Sequence, residues 1–141
     1  MAKSGPIIII DDDIDDQEML EEVMRDLKVS NKLIYFKMGE EAFKFLKKTT
    51  EQPFIILCDV NLLGESGIEF KRQIDADDQL RQKSIPFVFY STSVNQVDVN
   101  EAYTKMTVQG YFKKATSYDS MKKTIALILD YWEKCRHPNA A

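Results

Sequence analysis

Cysteine is nearly absent from this chain. Only Cys58 and Cys135 occur in 141 residues, which argues against a disulfide framework and fits a reducing cytoplasm. Cys58 sits inside an apolar run and reads as a small core residue. Histidine is scarcer still. His137 is alone, in a polar tail before Pro138, so neither a Ser-His-Asp triad nor a histidine-based metal site is expected. No apolar run approaches the roughly 20 residues of a membrane span, and no signal-peptide pattern follows Met1, so no membrane role is expected. A net charge of −4 argues against a general nucleic-acid surface. Internal repeats and low-complexity segments are also missing.

What is present is a regular alternation. Strand-like runs are Ile7–Ile10, Leu33–Phe36, 54–58, 87–90 and the short 111–112. Between them lie helical stripes. Leu20, Val23, Met24 and Leu27 follow i, i+3, i+4, i+7 spacing. Ala42, Phe45 and Leu46 begin the same pattern, and Val99, Ala102, Tyr103 and Met106 complete it. Met121, Ile125, Ile128, Leu129 and Trp132 form the longest stripe. Phe70 and Ile74 mark a weaker helix opening near Gly67. The acids Asp75, Asp77 and Asp78 read as a solvated loop. Five β-α units predict an α/β fold, a flavodoxin-like doubly wound parallel sheet of order 2-1-3-4-5 with right-handed crossovers. One domain over 1–141 is expected, with its core at about 6–133 and a tail at 134–141.

Polar residues stand where the strands end. Asp11-Asp12-Asp13 follows the first strand, Asp59 the third, Ser91-Thr92-Ser93 the fourth and Lys113-Lys114 the fifth. Each alone has a bland reading. The triplet can be a solvated turn that caps a helix, the hydroxyls a polar turn, and the lysines solvated charges. Tyr111 can be a plain core aromatic, and Asp15-Asp16 can serve the first turn of a helix. In a 2-1-3-4-5 sheet, however, strands 1, 3, 4 and 5 are neighbours, and ligands bind at their carboxyl ends. The convergence points to Mg²⁺-assisted phosphoryl transfer. On that expectation Asp12 and Asp59 would supply oxygen ligands, Asp59 would attack the phosphoryl group, and Ser91 and Lys114 would hold its remaining oxygens.

At these residues the sequence resembles the receiver domain of two-component response regulators, of the single-domain chemotaxis- or phytochrome-regulator type. The resemblance runs from about Ile7 to Trp132. Asp11-Asp12 match the acidic pair. Asp59 matches the phosphoacceptor, followed eight residues later by Gly67. Ser91 stands five residues after Pro86. Tyr111 and Lys114 match the aromatic and lysine of the fifth strand, and Gly39-Glu40-Glu41-Ala42 resembles the opening of the second helix. The resemblance implies phosphorylation of Asp59 by a histidine kinase or a histidine phosphotransfer protein, in a cytoplasmic, bacterial two-component system. It implies Mg²⁺ held by Asp12, Asp59 and the main-chain carbonyl of Asn61, with Asp11 assisting. Ser91 would contact the phosphoryl group and move, Lys114 would pair with it, and Tyr111 would change rotamer in step. Thr92 would border the pocket. Output to an unidentified protein, or a homodimer, would use the face of the fourth helical stripe, the fifth strand and the last helix.

Three positions depart from the family, one of them Asp13, a third acid where many relatives have another residue. Leu63 and Ala115 stand where proline is usual. A cis bond before Ala115 would cost about 2.5–4 kcal/mol, against about 0.5–1 kcal/mol before proline. Either a trans bond with a shifted Lys114 or a cis bond held by packing is therefore expected. Two other functions compete. A haloacid-dehalogenase-like phosphatase also uses Asp, Ser/Thr and Lys at strand ends, but Asp15 replaces a small residue and no late acidic pair follows Lys114. A receiver-like interaction module that is never phosphorylated is the other.

Overall fold

The computed structural model describes residues 2–62, 64–92, 95–106 and 108–138. Five parallel strands form one sheet in the order β2-β1-β3-β4-β5: β1 (Ile7–Ile10), β2 (Leu33–Phe36), β3 (Ile55–Cys58), β4 (Phe87–Ser91) and β5 (Gly110–Lys113). This is the flavodoxin-like doubly wound arrangement. The helices are α1 (Ile14–Asp26), α2 (Gly39–Lys48), α3 (Gly67–Ala76), α4 (Asp78–Lys83), α5 (Gln96–Lys105) and α6 (Tyr118–Lys134).

The sheet is sandwiched between two apolar layers, and strand alternation assigns residues to them. Ile8, Ile10, Ile56, Cys58, Phe87 and Phe89 pack with Ala42, Leu46, Phe70, Leu80 and Ala102. Ile7, Ile9, Ile55, Leu57 and Val88 pack on the other face with Val23, Met24, Met121 and Ile125. All four residues of β1 are buried, which is why that strand is an unbroken isoleucine run. Each fully buried isoleucine contributes about 1.5–3 kcal/mol. No helix among the described residues is long and apolar enough to cross a membrane.

The structure corrects the expected loop at Asp75, Asp77 and Asp78. Six α-helices stand among the described residues where five were expected. Asp77 is extended (φ −92°, ψ 117°), closes α3 and caps α4 by accepting from the Leu80 amide at 3.0 Å. Asp75 pairs with Lys71 at 2.8 Å, and Asp77 with Lys47 at 2.9 Å. Ser84 (φ 51°) then ends α4 in the left-handed region.

His137 is a second correction. It was expected in a polar tail, yet it is buried. Its Nε2 lies 2.7 Å from the Phe54 carbonyl, and its ring stacks on Phe54 with centroids 5.8 Å apart.

Candidate functional site

Strand register brings the polar residues together. The Asp59 amide donates to the Ile10 carbonyl at 2.9 Å, and the Lys114 amide donates to Ser91 at 2.8 Å. Asp11, Asp59, Ser91 and Lys114 therefore share one edge of the sheet, and all four are buried.

Asp59 is held on both carboxylate oxygens. Oδ1 accepts from Ser91 Oγ at 2.6 Å and from the Asn61 amide at 3.0 Å. Oδ2 accepts from Lys114 Nζ at 2.7 Å. The same ammonium reaches Asp11 Oδ2 at 2.6 Å and Asp16 Oδ2 at 2.7 Å. Among the described residues there is no cis peptide, so the Lys114–Ala115 bond is trans. Lys114 still reaches Asp59, so the missing proline has not cost it the site. Lys113 is exposed, as strand alternation requires.

The acid triplet separates by role. Asp13 is the N-cap of α1, accepting from the amides of Asp15 at 2.9 Å and Asp16 at 3.2 Å. Its own amide donates to Asp11 Oδ1 at 2.9 Å, which helps to orient that carboxylate. Asp12 is half-buried, and Thr92 is exposed. The Tyr111 ring packs on Phe89, centroids 5.4 Å apart. Leu63 and Ser93 lie outside the described residues.

Sequence reasoning left Asp16 in the first turn of α1 and did not join it to Lys114. The available signal was its position, one helical turn past Asp12 at the same end of the sheet.

Electrostatics follow from counting charges. Burial pulls the Lys114 pKa down, but the hydrogen bonds it donates to Asp11, Asp16 and Asp59 outweigh it and hold it above the usual lysine range. Burial also pushes Asp11 up to about 6, against the opposing Lys114 hydrogen bond. The causes differ, burial for Asp11 and three carboxylate partners for Lys114, but the geometry is common to both: one ammonium faces three carboxylates. The cluster is short of positive charge.

That shortage is the test of fit for a cation. Available donors are carboxylate and main-chain oxygens, the hard ligands Mg²⁺ prefers. Among the described residues no three His, Cys, Asp or Glu side chains form a metal-holding group. A site with one or two carboxylates, a main-chain oxygen and waters, as Mg²⁺ commonly takes, does not require one.

The chain belongs to the response regulator receiver domain family, which matches residues 7–126. It is similar to the probable methanogenesis regulatory protein FilR2 of Methanothrix harundinacea (strain 6Ac), at 25% identity over 130 residues, covering 89% of this chain and 82% of that protein. Among solved structures, the phosphorylated cyanobacterial phytochrome response regulator RcpA aligns with a TM-score of 0.84 and 25% identity, covering 95% of this chain and 98% of that one. The Mn²⁺-bound form of response regulator Rcp1 aligns at 0.81 and 26% identity, with the same coverage.

Proposed function

We propose that this receiver takes a phosphoryl group from a phosphohistidine onto Asp59 and signals through changed protein contacts. The donor would be a histidine kinase or a histidine phosphotransfer protein. The observation that carries the reading is the double hold on Asp59. A buried carboxylate accepts a hydroxyl on one oxygen and an ammonium on the other, from the two strands beyond it in the sheet. A carboxylate kept only for stability needs no such convergence at a strand end.

In the transfer, an Asp59 oxygen bonds to phosphorus as the phosphorus–nitrogen bond breaks. The electron pair returns to the donor's imidazole nitrogen. Asp12, Asp59 and the Asn61 main-chain oxygen would hold Mg²⁺, with Asp11 assisting. When bound, the ion neutralises the carboxylates and polarises the phosphoryl oxygens. Divalent metal in the similar Rcp1 structure supports this reading without fixing the metal. Ser91 and Lys114 would hold phosphoryl oxygens, Thr92 would border them, and Ser91 and Tyr111 would shift on phosphorylation. Exposed Tyr103 on α5, and Leu127 and Tyr131 on α6, support an output or homodimer surface there. The family match gives no support to the phosphatase alternative.

The test is incubation with acetyl phosphate and Mg²⁺, followed by detection of acid-labile phosphate. Wild-type protein should be labelled, and Asp59→Asn should not. Equal labelling of both overturns the assignment.

A further inference from the structure

Ala115 gives the chain a main-chain N–H directly behind Lys114. Proline, usual at this position, has none. In a part-buried segment that donor needs an acceptor. Among the described residues its acceptor is the hydroxyl of Tyr90, at 3.4 Å. Tyr90 is buried on β4, and it lines a small cavity with Asp11, Asp16 and Asp59. Burial pushes the Tyr90 pKa up, so its oxygen stays that of a neutral phenol.

The place of this bond gives it weight. Strand β5 ends at Lys113, and the Lys114 amide donates to the Ser91 carbonyl at 2.8 Å. Helix α6 begins only at Tyr118, behind its Ser117 cap. Between these two anchors, the Ala115–Tyr90 bond is the main-chain tie among the described residues. It fixes the trans peptide that follows Lys114. The carboxylates of Asp11, Asp16 and Asp59 attract the ammonium, but the tie sets the backbone from which it must reach. From there Nζ lies 2.7 Å from Asp59 Oδ2. Tyr90 also directly precedes Ser91, whose Oγ donates to Asp59 Oδ1 at 2.6 Å.

We propose that Tyr90 is a positioning residue for phosphoryl transfer. Through the Ala115 amide it holds the Lys114–Ala115 link where Lys114 can meet a phosphoryl oxygen on Asp59. It acts through Lys114 and is not itself a catalytic group. The inference rests on Asp59 being the phosphoacceptor.

The experiment is titration of the full chain with beryllofluoride, a phosphoryl mimic, in the presence of Mg²⁺. Tyr90→Phe keeps the ring and deletes the hydroxyl. It should weaken binding about two- to tenfold, the range of one neutral hydrogen bond. Ala115→Pro deletes the N–H, whichever isomer its bond takes. In that background Tyr90→Phe should leave affinity unchanged, because the pair is already broken. A Tyr90 that acted by packing, or through its neighbour Ser91, would weaken binding equally in both backgrounds, and that result overturns the inference. Wild-type affinity in Tyr90→Phe overturns it as well. A second readout needs neither the mimic nor the proline variant. The Ala115 amide should exchange with solvent deuterium faster in Tyr90→Phe than in wild type, while the amides of β4 keep their rates. Equal exchange at Ala115 overturns the inference and leaves the acceptor assignment standing. If wild type itself does not bind beryllofluoride, the acceptor reading fails and takes the inference with it.

Discussion

A Cβ placed on Gly67 would lie 2.1 Å from the main-chain oxygen of Asp59 and 3.1 Å from Cys58 Sγ. The nearer atom is backbone, so no rotamer change relieves the contact. The Gly67 amide also donates to the Val60 carbonyl at 2.7 Å, which turns the chain back against the end of β3. Gly67→Ala should therefore push the β3–α3 connection outward. Overpacking of this kind costs about 1–3 kcal/mol. A displacement of about 1 Å at Asp59 can lower its phosphorylation by about a hundredfold. Gly39→Ala is the comparison. Its Cβ would meet Glu65 Oε1 at 2.6 Å and Phe70 Cδ1 at 2.9 Å, both side-chain atoms. It should lower the urea midpoint while leaving phosphorylation by acetyl phosphate nearly intact.

Lys114→Met removes the only counter-charge that the described ion pairs give Asp11, Asp16 and Asp59. Breaking a buried ion pair costs about 3–5 kcal/mol, because the partner's charge stays behind. Urea unfolding in chelator should show a loss of that order. Mg²⁺ should recover part of it, since the ion supplies positive charge to the same carboxylates. A variant as stable as wild type in chelator would mean that the three short contacts do not hold the site together.

Mg²⁺ should stabilise the wild-type protein as well. A ligand that binds only the folded state adds about 2.7 kcal/mol at a concentration 100 times its Kd. Thermal melts should rise with Mg²⁺ and return to baseline in chelator. Asp12→Asn leaves the Lys114 contacts with Asp11, Asp16 and Asp59 untouched. Its melting point in chelator should match or exceed wild type, while its response to Mg²⁺ should weaken. An undiminished response would remove Asp12 from the metal site.

Legibility in the sequence followed the range of the interaction. The isoleucine run of β1 and the polar residues ending β1, β3, β4 and β5 are local signals, and topology alone makes them neighbours. The pairing of Asp16 with Lys114 spans 98 positions and depends on how α1 is turned about its axis, which no local pattern records. Helix α4 was hidden because Leu80 is its sole buried residue, and because Asp77 serves two helix ends at once. His137 was misplaced for a different reason. Its partner is the carbonyl of Phe54, and a main-chain acceptor leaves no trace in residue type.

Asp77 gives the clearest expectation for pH. The Leu80 amide and then the Lys47 ammonium hold its carboxyl below the usual 3.8. Between the folded and unfolded pKa values the unfolded chain binds more protons, so stability rises with pH there. The contribution is complete above the unfolded value and is lost as pH falls through the folded one. Asp77→Asn keeps a capping oxygen but carries no charge. Urea midpoints of wild type and Asp77→Asn should differ at neutral pH and converge below about pH 4. Asp77→Ala should stay less stable than Asp77→Asn throughout, because its cap is gone at every pH. A gap between wild type and Asp77→Asn that persists in acid would place its origin in shape and not in charge.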